Sequence, residues 1–459
     1  MVDATMRALE NTSISDWKIP PELIRALGVV MAAAAEANRD LGLVEPALAN
    51  AIHEAASEVG RGAWDEHFQV DVFQTGSGTS WNMNANEAIA NRANELLSAP
   101  RGAKIPVHPN DHVNRCQSSN DVIPTAINMA CRAGSADLGA ALESLQRSLE
   151  RKTREFSSIL KVGRTHLQDA VPMTLGQEFS GYARQVEKAC HLLLRCFPSL
   201  EELAIGGTAV GTGINSHPDF ARRAVAGITA DAARTGIAFR EAVNRFEAMA
   251  ARDAQVELMG AVNAAAVCLT KIANDLRLLS SSPRTGFGEI SLPSLQPGSS
   301  IMPGKVNPVI LEMTLQAAAH IMGACFAVSI GSQTGPLEMN MMQPLIAAET
   351  LGALRLVAGT CCALAGKCVD GIAADAARGG MGGKKPGARH APRAPDRLRP
   401  RREARAEGPG RKPLDPGGRD FGGRSHSGGS QEDPGSPLDA RPAGLRGLET
   451  RSGKGLVWS

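Results

Sequence analysis

Aromatic residues are scarce: one Tyr, four Trp and 11 Phe make up 3% of the 459 residues. Sandwich-type β-proteins draw their cores from aromatic and β-branched side chains. This scarcity, beside abundant Ala and 43% apolar residues, excludes that class and favours closely packed long helices. Paired metal-ligand spacing is missing among the nine Cys (Cys116, Cys131, Cys190, Cys196, Cys268, Cys325, Cys361, Cys362 and Cys368). Neither a zinc site nor a disulfide framework is predicted, and the thiols are expected to be reduced. The N-terminus has no basic-then-apolar leader, and no apolar run reads as long enough to span a bilayer, so a cytoplasmic protein with no membrane partner is expected. A glycine-rich dinucleotide fingerprint following a strand is also missing. No cofactor and no metal are predicted.

What is present divides the chain in two. Residues 379–459 carry 17 Lys plus Arg against 9 Asp plus Glu, whereas residues 1–378 carry 32 against 38. The basic isoelectric point therefore belongs to the tail, and the body is mildly acidic, with no nucleic-acid surface. The tail also holds 28 Gly plus Pro in 81 residues, no Ile and one Val, a composition that cannot bury a core. Disorder is expected there. A basic interaction tail is the functional alternative, and an out-of-frame reading of a GC-rich gene would produce the same balance. At this length two or three domains are expected. They are drawn as 1–117, short helices and loops; 118–372, a bundle of long helices; and 373–459, a degenerate tail.

In the first region Pro21 opens one helix and Pro46 another. The run Gln74 to Glu87 then sets small hydroxyl residues between glycines before an amide-rich helix start. Such a run is an anion cradle through Ser77 and Thr79, or an ordinary hydroxyl-rich cap. Next come His108-Pro-Asn-Asp111 and Gln117 to Asp121. There Ser118, Ser119 and Asn120 sit at a helix start, and capping explains one of the three but not all. Beyond this point apolar residues recur in steps of three and four, from Leu175 to Leu200 and from Val256 to Leu279. These runs predict long helices buried on several sides, hence self-association. Polar breaks interrupt them at 163–169, 206–213 and 298–308.

The last break is the most telling. Gly298-Ser-Ser-Ile-Met-Pro-Gly-Lys-Val-Asn-Pro308 is too rich in Gly and Pro for a helix or strand, and the apolar helix that follows puts Lys305 and Asn307 at its entrance. Such a point attracts anions, so a loop closing a serine over a small anion is predicted. His166, in the break at 163–169, is a candidate acid–base group, and Glu312 would hold its imidazole in one tautomer. Many neutral donors, one cation and one acid–base pair suit a small dicarboxylate and proton abstraction beside a carboxylate.

These segments together resemble the fumarase/aspartase superfamily. TGSGT at 75–79, NMNANEAIANRA at 82–93, HPNDHVN at 108–114, QSSND at 117–121, GRTHLQDAVPMTLGQEFSGY at 163–182, GGTAVGTG at 206–213, KIANDLRLLSSSPRTGFGEI at 271–290 and the loop at 298–308 follow the order of class II fumarate hydratases. The resemblance spans about residues 5–375. It implies an all-α homotetramer with a twenty-helix core, each active site assembled from three subunits, and reversible trans elimination of water from (S)-malate to fumarate through a carbanion-type intermediate. On this resemblance Ser299 is the proton-abstracting base, and His166 with Glu312 serves the leaving hydroxyl. Ser77, Thr79, Ser118, Ser119, Asn120, Thr165, Ser300, Lys305 and Asn307 bind the dicarboxylate. His108, Asn110 and Asp111 form a secondary dicarboxylate site. Aspartate ammonia-lyase is the alternative reading, favoured by the run Asn307 to Glu312, whereas Ser119, the HPND run and Asn244 to Ala248 favour the hydratase. An inactive tetrameric scaffold is the third reading. Family chains begin some twenty residues earlier and continue past Ile372 into a small helical domain, so both pieces are expected to be lacking.

Overall fold

The computed structural model describes residues 3–232, 235–282 and 284–378. The expected disorder of the tail beyond residue 378 lies outside the described residues. The N-terminal region holds α1 (Asp3–Thr12), α2 (Pro21–Asp40), α3 (Pro46–Gly60) and α4 (Thr79–Leu96). Pro21 and Pro46 stand at the first helical positions, where a missing N–H costs nothing, and the Glu45 carboxylate caps α3 through Ala47 N and Leu48 N. At 20 and 18 residues, α2 and α4 are longer than the short helices expected here. Helices α2 and α3 touch backbone to backbone at Gly28, where a Cβ would stand 2.3 Å from Gly60 N.

The body is a ring of five long helices: α5 (Ser119–Glu155), α6 (Leu175–Arg195), α10 (Asp253–Leu279), α11 (Val309–Gln333) and α12 (Gln343–Lys367). Between α6 and α10 come three shorter ones, α7 (Phe197–Leu200), α8 (Phe220–Ala232) and α9 (Arg245–Ala250). In the ring α5 packs on α6 and α12, α6 on α10, α10 on α11, and α11 on α12, while α2 lies across α5 and α8. Leu138, Leu145, Phe179, Val186, Val262, Leu269, Ile321, Val328, Leu354 and Val357 fill the interior. The run expected from Leu175 to Leu200 breaks at Cys196, because Pro198 removes a donor and starts α7 afresh.

Two expectations are corrected. The break at 163–169 belongs to a β-hairpin, β1 (Leu160–Thr165) antiparallel to β2 (Gln168–Thr174), and not to an irregular loop. Two-residue pairs, β3 (Glu202–Leu203) with β4 (Arg240–Glu241) and β5 (Ile290–Ser291) with β6 (Ala373–Ala374), complete the strand content of the described residues. Ala373 and Ala374 thus pair with Ser291 and Ile290. Secondly, α10, α11 and the segment from Gln343 to Gly371 are each long and apolar enough to cross a membrane. Polar residues such as Asn263 and Lys271 hide this in a linear reading. Outward apolar side chains remain on the ring: Leu194 is 54% exposed, Val267 52% and Phe326 69%.

Candidate active site

Helices α4 and α5 begin side by side. Gly78, left-handed at φ 74°, ends the turn closed by its N–H to Thr75 O, and α4 starts at Thr79. Ser118 is the N-cap of α5. Its hydroxyl accepts from Asn120 N at 3.2 Å, and Asp121 returns the favour by accepting from Ser118 N at 2.9 Å. Where the two starts meet, Ser77 Oγ lies 2.8 Å from Thr79 Oγ1, which lies 2.9 Å from Ser119 Oγ. Three half-buried hydroxyls thus stand in line at two helix N-termini, where free N–H groups and the dipoles favour an anion. The cradle backs onto α12: Gly76 O accepts from Gln343 N at 3.0 Å, and a Cβ on Gly76 would lie 1.9 Å from Met341 O.

Thr165 and His166 lie elsewhere, at the tip of the β-hairpin. His166 and Leu167 form its two-residue turn with φ of 54° and 60°, the geometry usually given to Asn-Gly. A leucine there is strained, and such strain gathers at functional positions. The tip is exposed while the base is fixed. Lys161 Nζ is 2.7 Å from Glu289 Oε2 and also pairs with Glu178, and Arg164 Nη1 is 2.6 Å from Glu289 Oε1. Arg164 further stacks 4.3 Å above the Phe287 ring.

The loop Gly298–Asn307 is a third unit. Its neck is closed by Gly298 N donating to Lys305 O at 2.8 Å and by Asn307 Nδ2 donating to Gly298 O at 3.0 Å. Above the neck Ser299 Oγ accepts from Ile301 N at 3.3 Å, and residues 300–306, including Ser300 and Lys305, are exposed. Glu312 follows in the first turn of α11, half-buried. Among the described residues no hydrogen bond or ion pair joins His166 to Glu312, nor either of them to the hydroxyls of α4 and α5. Within one chain the predicted residues therefore form three separate groups.

His108 caps a single π-turn, Pro109–Val113, its Nδ1 accepting from Asn110 N at 3.3 Å and Asp111 N at 3.2 Å. That leaves the ring proton on Nε2, so the Asp111 carboxylate 3.2 Å from Nδ1 finds no proton there. Asn110 and Asp111 are exposed, as a surface anion site requires.

Several polar contacts escaped the sequence reading. Asn114 Oδ1 accepts from both Asn82 and Asn86 at 3.2 Å, and Asn114 Nδ2 reaches Gln117 O, tying α4 to the segment before α5. Asp121 is buried, and burial pushes its carboxyl up to about 7 against the pull of three backbone N–H groups. The amide-rich run at 82–86 was the one available signal for the first network. Among the described residues no group of three or more His, Cys, Asp or Glu is placed to hold a metal ion. A cavity of 420 Å³ lined by Val29, Met129, Phe239 and Leu354 contains none of the predicted residues.

Comparison with known proteins agrees with the fold. Residues 1–323 match the family model described as lyase. The chain is 50% identical over 375 residues to the class II fumarate hydratase of Methylorubrum extorquens, covering 82% of this chain and 79% of that protein. It is 49% identical over 377 residues to the mitochondrial fumarate hydratase of Homo sapiens, covering 82% and 73%. The crystal structure of a recombinant class II fumarase from Schistosoma mansoni superposes with a TM-score of 0.80 at 39% identity, covering 82% of each chain.

Proposed function

The chain belongs to the lyase family, and from that premise we propose that the three groups of residues are parts of one shared site that interconverts (S)-malate and fumarate. The enzyme is a class II fumarate hydratase, a carbon–oxygen lyase. The observation that carries the site assignment is the line of hydroxyls Ser77, Thr79 and Ser119 at the joined starts of α4 and α5. A carboxylate laid there meets hydroxyl donors, helix dipoles and the second N–H of the Asn120 amide.

The chemistry then divides among the groups. Ser299, carried by the loop, takes the proton from the carbon next to one carboxylate. The electron pair passes into that carboxylate, which becomes a dianion held by Lys305, Asn307 and the hydroxyl donors. The carbon–oxygen bond then breaks, and the leaving hydroxyl takes a proton from His166, which Glu312 keeps in the donating form. Loop closure would exclude water and, with the Lys305 cation, favour the serine alkoxide. Thr165 and Ser300 bind the substrate beside these groups, and His108, Asn110 and Asp111 hold a second dicarboxylate at the surface.

Among the described residues no hydrogen bond or ion pair joins the three groups, so the reading calls on other copies. Self-association as a homotetramer is supported by the outward Leu194, Val267 and Phe326 and by the five-helix ring, four of which make twenty helices. A cytoplasmic location is supported by nine free thiols.

The test is the ultraviolet absorbance of fumarate during incubation with malate and, separately, with aspartate. Fumarate from malate is the expected result. Fumarate from aspartate alone would make the chain an ammonia-lyase, and silence with both substrates from an intact tetramer would make it a scaffold.

A further inference from the structure

Asp121 makes more bonds than a helix cap needs. One oxygen, Oδ1, accepts from Ser118 N and completes the capping box. The other, Oδ2, leaves the helix and accepts from Gly206 N and Thr208 N, each at 2.9 Å, in the loop 206–213. The next residue back repeats the connection, with Asn120 Nδ2 donating to Ala209 O at 2.8 Å. The loop so held is strained. Thr208, β-branched and buried, sits at φ 54°, a conformation kept only where the surroundings impose it, and its hydroxyl has no partner. Asp121 itself is 0% exposed, and no cation pairs with it among the described residues.

We propose that Asp121 is a positioning residue for substrate binding, clamping the 206–213 loop to the start of α5 and so aiming the donors of Ser119 and Asn120 at the substrate carboxylate. The proposal rests on the reading that Ser118 to Asn120 bind substrate. Its logic is one of cost. Burying a carboxylate is unfavourable, and the neutral amide oxygen of an asparagine could accept from Ser118 N and complete the capping box without it. A carboxyl group has two acceptor oxygens, and here they take three N–H groups from two segments at once. Because those N–H groups point at Asp121, the side chains of Ser119 and Asn120 are left to face the ligand. With one Asn120 N–H spent on Ala209, the orientation of its amide is fixed.

The test compares Asp121→Asn with Ser119→Ala, using KM and kcat for malate and the inhibition constant of succinate, a dicarboxylate that cannot react. Asp121→Asn sets an NH2 against one of the three N–H groups. It is expected to raise KM and the succinate constant by about tenfold while lowering kcat less than about threefold. Ser119→Ala is expected to raise the same two constants. If Ser119→Ala raises them and Asp121→Asn does not, the positioning role is overturned and the binding reading survives. If Ser119→Ala changes neither, the binding reading falls and takes this proposal with it. Should Asp121→Asn fail to fold, the comparison moves to a Thr208→Gly background, in which the loop carries no left-handed strain. There the same rise is expected on adding Asp121→Asn, and unchanged binding constants overturn the proposal.

Discussion

Lys161 and Glu289 form an ion pair 2.7 Å long with only 3% and 2% of their side chains exposed. The pair joins the base of the β1–β2 hairpin to the segment after α10, and Arg164 binds the second oxygen of the same carboxylate. Breaking a buried pair is strongly destabilising, and although Lys161 keeps Glu178, Arg164 loses its close partner, so Glu289→Gln is expected to destabilise the protein by about 3 kcal/mol. The hairpin carries His166, so kcat should fall in the same variant. A Glu289→Gln protein with the wild-type denaturation midpoint would contradict this account of the hairpin.

Gly76 stands where any side chain collides with the backbone of Met341. Gly76→Ala must push the cradle away from α12, and overpacking of this kind costs about 1–3 kcal/mol or more. Because Ser77 and Thr79 follow directly, KM for malate should rise along with the loss of stability. Thermal unfolding and steady-state kinetics on the one variant would check both, and a normal KM would separate the cradle from binding.

Ser299→Ala removes only one hydroxyl from an exposed loop whose neck is held by other atoms. Stability should be unchanged within about 0.5 kcal/mol. Turnover should drop by at least about a hundredfold with KM little altered, the mark of a group acting in the transition state. Full turnover would remove the base assignment.

Glu58 provides a pH test remote from chemistry. Its hydrogen bonds from Arg92, at 2.7 Å and 2.9 Å, hold its carboxyl below the usual 4.5 against the opposing effect of burial, and Trp64 Nε1 adds a third at 2.9 Å. A folded-state value below the unfolded one means that the stabilisation is present above pH 4.5 and lost as pH falls through the folded value. Glu58→Gln should therefore lower stability by about 1–3 kcal/mol near pH 7. The gap in melting temperature from wild type should close as pH falls from about 6 to about 3. A gap of constant size would show that charge has no part in it.

The helices were legible because their signals are local. Pro21 and Pro46 mark starts by their missing N–H, and the Val256–Leu279 periodicity survives intact as α10. The Gly298–Pro308 loop was legible for the opposite reason, since its glycines and prolines forbid regular structure. The β1–β2 hairpin was not, because its turn is His-Leu and β2 contains Pro172, neither of which signals a strand pair. The bonds from Asp121 to Gly206 and Thr208 span more than eighty residues, and nothing in local spacing announces them. Motif resemblance named Ser77, His166 and Ser299 as parts of one site, but only the fold separates them into three groups within the chain.

The apolar outer faces of α10 and α11 bear on the life of a newly made chain. On the self-assembly reading, a solitary copy displays two helices that a bilayer or an aggregate would accept as readily as a sister subunit does. Finished enzyme then forms by encounters between copies, at a rate that rises faster than linearly with their number. Halving the supply of chains should leave a cell with less than half of its catalyst, and the shortfall should appear as insoluble protein.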